Sequence, residues 1–158
     1  MDFARINPSR DADTPATWPV EYEGEVLYWK DKEPIEIDIL GLDGVAGKKA
    51  QAKMVKMAAR KVKNPNRQLG QMSEKEIEAF LAGQERAKAH MFAELTTGWR
   101  NIYYLEDEDM HDPNAVPTPM EFSKENAIKL CTTRPWIVEG LDAFLGLRDN
   151  FAKEVGKS

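Results

Sequence analysis

The chain has 158 residues, of which 42% are hydrophobic and 31% charged, and its formal net charge is −5 at pH 7. This composition is typical of one globular domain, and it argues against a disordered chain and against a dedicated nucleic-acid-binding protein. The single cysteine, Cys131, excludes an internal disulfide and a cysteine-rich zinc site. No segment reaches the ~20 apolar residues of a membrane span, and the N-terminus lacks a signal-peptide pattern, so we expect a soluble intracellular protein.

The first 19 residues are polar and contain three prolines. Such a segment has too little apolar surface to order itself, and we predict an arm over residues 1–19. This arm is either a frayed terminus or a segment that orders against a neighbouring molecule. In the second case its anchors are Phe3, Ile6 and Trp18.

Residues 20–41 contain β-branched and aromatic residues in partial alternation, a pattern that predicts a β-hairpin. The sequence KDKEP supplies a polar turn between the two strands. Glu36 and Asp38 alternate with three isoleucines, so one face of the second strand should contact water. Because an isolated hairpin is marginally stable, it should pack on helices or on another chain.

Two long helices are predicted after a glycine-rich break. The first runs from about residue 46 to residue 63 and ends at an Asn-Pro-Asn sequence. The second begins at Ser73, which forms a capping box with Glu76, and Gly98 is its candidate end. Apolar residues recur along this second helix at helical spacing, which predicts a central core element with Phe80 buried.

Two further helical segments follow an acidic and then proline-rich loop. We expect Ser123 to cap a short helix that extends to about Cys131, and Asn126 to bond to the loop before it. Pro135 suits the first turn of a final helix.

The predicted fold class is therefore α+β, with an N-terminal β-hairpin followed by a mostly helical domain of about four helices. After the arm, residues 20–158 should form a single domain, with the hairpin over residues 20–41 and the helical part over residues 46–155.

Catalytic and metal-binding patterns are weak in this chain. Its two histidines, His90 and His111, have no nucleophile, ligand set or orienting partner at a recognisable spacing. The acidic sequence around His111 lacks the glycine and the terminal glutamate of a calcium loop. Phosphate-loop, nucleophile-elbow and zinc-helix motifs are also missing from the sequence. We therefore expect no enzymatic activity, no cofactor and no metal.

Charge is segregated along the chain. Between residues 45 and 73 there are eight basic residues and no acidic one. Six of them fall at alternating spacings of four and three, which places them on one helical face. We call this set the basic stripe; it consists of Lys49, Lys53, Lys56, Arg60, Lys63 and Arg67.

The basic stripe is either a solvated face or a docking site for an acidic protein or a second copy of the chain. Nucleic acid is a weaker alternative, because the stripe contains no aromatic residue on which a base could stack. Four consecutive acidic residues, 106–109, are the candidate counter-charge, either within one chain or between copies.

Aromatic residues are concentrated after residue 98. Most of them should be core residues, but some are candidates for an exposed interaction surface. The candidate interaction residues are Trp99, Phe122, Trp136 and Phe151.

The C-terminal part of the chain combines GWRNIYYLED, a proline-rich gap and PMEFSKENAIKLCTTRPWIVEGLDAFLGLRDNF. This segment, residues 98–151, resembles the C-terminal part of the tail assembly chaperones of long-tailed bacteriophages. In that family a Gly-Trp pair leads into a strand, followed by a Phe-Ser-x-Glu-Asn-Ala motif, a proline-containing break and a helix ending in Asn-Phe. The matching positions are Gly98, Trp99, Phe122, Ser123, Glu125, Asn126, Ala127, Pro135, Trp136, Asn150 and Phe151.

The resemblance implies a non-enzymatic protein that acts in the host cytoplasm. Tail assembly chaperones keep the tape-measure protein soluble, help tail-tube subunits to polymerise around it, and tend to self-associate. The implied partners are thus the tape-measure protein and the tail-tube protein. The alternative is a structural protein of the virion, in the tail or head, whose N-terminal arm contacts neighbouring subunits.

Overall fold

The computed structural model describes residues 12–30, 32–60 and 72–155, and for Arg60 and residues 148–155 it describes the backbone only. The strands in this part of the chain are β1 (Ala16–Pro19), β2 (Glu21–Tyr22), β3 (Glu25–Val26), β4 (Tyr28–Trp29), β5 (Glu33–Pro34), β6 (Glu36–Ile39), β7 (Thr96–Arg100), β8 (Tyr103–Tyr104) and β9 (Thr118–Pro119). The α-helices are α1 (Val45–Arg60), α2 (Glu74–Leu95), α3 (Lys124–Thr133) and α4 (Pro135–Val155). The predicted α+β class is confirmed, since N-terminal strands precede a mostly helical part.

The main sheet has three antiparallel strands in the order β1–β6–β7. In the central strand β6, Ile37 and Ile39 are buried, whereas Glu36 and Asp38 point to the other face. This alternation is the one predicted from the sequence. It turns one face of the sheet towards the helices and leaves the other for polar side chains.

Strand pairing over residues 20–41 is more divided than a single hairpin. Strands β2 and β3 form one short hairpin, and β4 and β5 form another. Glu23 and Gly24 have positive φ angles of 53° and 83°, and Lys30 has a φ of 51°. Because these tight turns reverse the chain, the four strands from β2 to β5 are each only two residues long. The long pairings of β6 are instead with β1 and β7.

Residues 12–19, the inner part of the predicted arm, belong to the fold of their own chain. β1 pairs with β6, and the Trp18 side chain is 4% exposed within the core. The Ala12 carbonyl accepts a hydrogen bond from Gly41 N–H at 2.7 Å. Burial of the large apolar surface of Trp18 and the pairing of β1 with β6 both favour order in this segment, which is why it departs from the expectation. Residues 1–11 of the predicted arm, including Phe3 and Ile6, lie outside the described residues.

Helix α2 lies at the centre of the helical part and packs against α1, α3 and α4. The predicted cap is confirmed, since Ser73 Oγ accepts a hydrogen bond from Glu76 N–H at 3.2 Å. Phe92 and Leu95 in its C-terminal half are almost fully buried. Phe80 in its N-terminal half is only half-buried, contrary to expectation, because apolar spacing marks a helix face but not how far its neighbours extend along it.

The ends of the other helices follow the predicted local chemistry. Ser123 Oγ accepts from Asn126 N–H at 3.0 Å, and Asn126 Nδ2 donates to the Glu121 carbonyl at 2.8 Å. Pro135 is the first residue of α4. Helix α2 ends before Gly98, which lies in β7. The predicted end of α1 near residue 63 falls outside the described residues. Within the described residues, no helix is long and apolar enough to cross a membrane.

Candidate functional site

Three members of the basic stripe have described side chains: Lys49, Lys53 and Lys56 are exposed on α1. Lys53 Nζ lies 2.6 Å from Glu94 Oε1 on α2. The described part of the stripe therefore lies beside the α1–α2 interface and is not on the far side of α1. The side chain of Arg60, together with Lys63 and Arg67, lies outside the described residues.

An open apolar groove of about 300 Å³ lies beside the stripe, where α1, α2 and α3 meet. Its apolar lining consists of Ala50, Met54 and Met57 from α1, Ala87, Met91 and Ala93 from α2, and Ile128 from α3. Its polar lining consists of Lys53, His90, Glu94 and Lys124. We call this feature the groove. Since methionine side chains are flexible and polarisable, its walls can adapt to apolar groups of different shape.

Lys124 lines the groove and is held in place by the C-terminus of α2. Its Nζ donates hydrogen bonds to the carbonyls of Glu94 and Thr96 at 2.7 and 2.6 Å. A cation is favourable there because the last carbonyls of a helix carry partial negative charge. Burial lowers the pKa of Lys124, and the nearby charge of Glu94 opposes that shift. Lys124 also lies 5.8 Å from the centre of the Phe122 ring, which connects a predicted interaction residue to the groove.

Residues 106 and 107 of the acidic loop are paired with a lysine within α3 and with the arginine that follows the helix, and not with the described lysines of the basic stripe. Glu106 lies 2.6 Å from Lys129 Nζ, and Asp107 lies 2.8 Å from Arg134 Nη1. Arg134 also donates to the Leu105 carbonyl at 2.8 Å. Within one chain, these two acidic residues therefore contact cations of α3 and its C-cap, so the contacts do not favour the alternative in which they fold back onto the described lysines of the stripe.

The pairing around this loop is reinforced by an aromatic ring. Lys129 Nζ and Arg134 Cζ lie 4.9 and 4.7 Å from the centre of the Tyr104 ring. The hydrogen bond from Lys129 to Glu106 raises the pKa of Lys129. Glu108 and Asp109, the other two members of the loop, form no ion pair with the described residues. The loop thus retains exposed negative charge, but on the α3 side of the molecule.

The predicted aromatic interaction residues hold loops onto the core. Trp99 and Phe122 pack edge to face with ring centres 5.1 Å apart, and Trp99 Nε1 donates to the Met120 carbonyl at 2.7 Å. Trp136 packs edge to face on Tyr22 of β2 at 5.2 Å. These tryptophans are half-buried, so their main contacts are within the chain. The side chain of Phe151 lies outside the description.

The outer face of the sheet carries a polar network that the sequence analysis did not identify. Arg100 on β7 makes a bidentate contact with Asp38 on β6 at 2.8 and 2.9 Å, and its Nε donates to Glu36 Oε1 at 3.1 Å. Thr17 Oγ1 on β1 donates a hydrogen bond to Asp38 Oδ1 at 2.7 Å. The Arg100 hydrogen bond is the main cause that lowers the pKa of Asp38, and the same bond raises the pKa of Arg100. The network ties the three strands together on their polar face.

The two histidines lie in different surroundings. His90 is half-buried at the groove, and His111 is exposed in the loop after β8. Across residues 12–30, 32–60 and 72–155, no three His, Cys, Asp or Glu side chains come together in a group able to hold a metal ion.

The groove itself was missed by the sequence analysis. The apolar side of α1, including Met54, was visible from helical spacing. The exposure of those apolar side chains depends on how closely α2 and α3 approach α1. The local sequence does not indicate this distance between the helices.

No protein-family model, curated protein or solved structure matches the chain.

Proposed function

We propose that this chain is a phage tail assembly chaperone that binds the tape-measure protein and promotes tail-tube assembly without catalysis. The observation that carries the proposal is the groove. An assembly chaperone has to offer apolar surface to an apolar client segment, and the groove is an open, methionine-lined surface of this kind.

The segment with the family resemblance also builds part of the groove. Within residues 98–151, Ser123 caps α3 and so fixes the helix that carries Ile128 into the groove. Lys124 follows this cap directly and also lines the groove. Helix α3 thus belongs both to the segment with the family resemblance and to the groove. This supports the groove as the binding site for the tape-measure protein, the partner that the resemblance implies.

The test is co-expression with the tape-measure protein encoded in the same phage genome. We expect the tape-measure protein to be insoluble alone, and to be soluble and co-purified when the chain is present. An unrelated acidic protein of similar size is the control for non-specific solubilisation. The proposal fails if the tape-measure protein remains insoluble with the chain and does not co-purify with it.

The structural-virion alternative makes a different prediction about location. A tail or head protein remains in purified mature particles, whereas an assembly chaperone is expected in infected cells and not in the particles. Mass spectrometry of purified particles distinguishes the two functions. Trp18, one of the predicted anchors of the arm, is buried in the core of its own chain and is therefore not available to a neighbouring subunit, which does not favour the alternative.

A further inference from the structure

We propose that the groove and three described lysines of α1, Lys49, Lys53 and Lys56, together bind an acidic amphipathic helix, with its apolar side chains in the groove and its carboxylates against these lysines. The inference rests on the proposed function only in naming the tape-measure protein as the source of this helix. The site and the chemistry of its occupant follow from the groove and its charges.

The size of the groove suits individual apolar side chains that project from a helix. A volume of about 300 Å³ is at the lower end for ligand pockets, so it can take one or two apolar side chains but not a folded surface. Two apolar residues one helical turn apart lie on the same face of a helix and can enter together. The adaptable walls formed by Met54, Met57 and Met91 favour such side chains without requiring one particular shape.

The position of the lysines selects the charge of the occupant. Lys49, Lys53 and Lys56 each precede by one residue a groove-lining position of α1, at 50, 54 and 57. One residue corresponds to a rotation of about 100° around a helix, so the lysines flank the groove along its solvent side. A helix seated in the groove must therefore place its own flanking residues next to these ammonium groups.

The lysines have charge available for a partner. Lys49 and Lys56 form no ion pair with the described residues. They lie four and three residues from Lys53, and like charges at these spacings on a helix repel each other. Lys53 is paired with Glu94, but the two side chains are 67% and 41% exposed. Since exposed pairs contribute only about 0–1 kcal/mol, the Glu94 contact is weak enough for an incoming carboxylate to compete with Glu94 for Lys53. The charge complementarity favours an acidic helix over a neutral or basic one.

The direct test uses two fluorescein-labelled peptides of about 18 residues, or five helical turns. Both carry leucine pairs at i and i+4, and the flanking positions are glutamate in one peptide and lysine in the other. Fluorescence anisotropy with the full chain should show binding of the glutamate peptide that weakens with salt, and weaker binding of the lysine peptide. Equal affinity for both peptides overturns the inference.

Variants of the chain locate the binding site. Lys49→Glu combined with Lys56→Glu should weaken binding of the glutamate peptide by about tenfold. Met57→Glu should abolish the binding by placing a charge in the groove, and its fold is checked by circular dichroism. The matched control is Lys48→Glu, an exposed lysine on the same helix that is absent from the groove lining and should leave binding unchanged. If Lys48→Glu weakens binding as much as the double variant, the site is wrong.

The same variants separate this inference from the proposed function. If the parent chain does not bind the tape-measure protein, the proposed function fails, whatever the peptides show. If the parent binds it and both the double variant and Met57→Glu bind it equally well, the groove inference fails while the function stands. Two further outcomes overturn the inference. If the variants change the sedimentation of the chain by itself and leave peptide binding unchanged, the occupant of the groove is a second copy. If they change only the binding of a labelled oligonucleotide, the occupant is a nucleic acid.

Discussion

The indole ring of Trp18 on β1 lies against the backbone of Gly140 in α4. A Cβ atom placed on Gly140 would overlap the Cζ2 and Cη2 atoms of that ring. Trp18 is 4% exposed, so the ring has little room to move away. The contact joins the first strand of the described fold to the last helix, and it explains why a glycine interrupts an otherwise favourable helix sequence.

Replacing this glycine should destabilise the protein. In a helix, Gly→Ala ordinarily stabilises by up to about 1 kcal/mol. At Gly140 we expect the reverse, a net loss of about 1–2 kcal/mol, because the methyl group overpacks the Trp18 site. Urea unfolding followed by fluorescence measures the change. Gly146→Ala in the same helix is the control, since a Cβ there meets no atom within 4 Å and should stabilise. Stabilisation by both substitutions would show that the Trp18 ring can shift and make room for the added methyl group.

Asp13 caps a helix that begins 32 residues later in the sequence. Its carboxylate accepts hydrogen bonds from Val45 N–H at 3.2 Å and Ala46 N–H at 3.3 Å. Asp13→Ala should therefore reduce the free energy of unfolding by about 1 kcal/mol, while Asp13→Asn, which keeps an acceptor, should cost less. Denaturant titration measures both. Asp43→Ala is the control for loss of an acidic charge near the same helix end, and a loss equal to that of Asp13→Ala would mean that charge, and not capping, matters.

The predictable parts of the fold are those whose causes lie close together in sequence. Ser73 and Ser123 could be assigned as caps because each bonds to an N–H three residues ahead. Pro135 could be placed at a helix start because its fixed φ and missing N–H suit that position. These features need no knowledge of the tertiary structure.

The features that the sequence analysis missed depend on distant partners. The Asp13 cap and the Trp18–Gly140 contact each join segments far apart in the chain, so neither residue has a local pattern that reveals its role. The candidate site divides in the same way. The basic stripe could be predicted from spacing on one helix, whereas the groove beside it exists only because α1, α2 and α3 leave a gap.

Two phenylalanines of α2 should differ strongly in their contribution to stability. Phe92 is 0% exposed, whereas Phe80 is half-buried and lies outside the buried core cluster. Phe92→Ala should cost about 3–5 kcal/mol in the free energy of unfolding, which is usual for a buried phenylalanine. Phe80→Ala should cost only about 1–2 kcal/mol because less apolar surface returns to water. Chemical denaturation of both variants checks this order, and a reversed order would contradict the burial of the two rings.

Cys131 should be unreactive in the folded protein. The residue is 4% exposed, and burial raises the pKa of its thiol to about 12. The reactive thiolate is therefore scarce at about pH 8, and a thiol-labelling reagent cannot reach the sulfur atom until the structure opens. Labelling with a disulfide reagent should be slow and should accelerate with urea. Ala143→Cys adds an exposed thiol on α4 as a control and should give one fast equivalent. One fast equivalent in the parent protein would contradict the burial of Cys131.

The Arg100–Asp38 contact should make stability depend on pH in the acidic range. Hydrogen bonds from Arg100 lower the pKa of Asp38 in the folded state, whereas the unfolded value is about 3.9. The contribution of this carboxylate is thus fully present above the unfolded pKa and is lost as pH falls through the lower folded pKa. Because the Arg100 side chain is 46% exposed, the contribution should not exceed about 1 kcal/mol.

Asp38→Asn tests this dependence directly. The variant should be less stable than the parent at about pH 7, and the difference should shrink towards about pH 3, where the parent loses the same contribution. Urea unfolding of both proteins across this range gives the two curves. Glu33→Gln removes an exposed carboxylate on the neighbouring β5 that forms no ion pair with the described residues, so it should keep the pH profile of the parent. If the curves of Asp38→Asn and the parent stay parallel down to the acidic end, the Arg100 contact does not hold this carboxylate in its charged form.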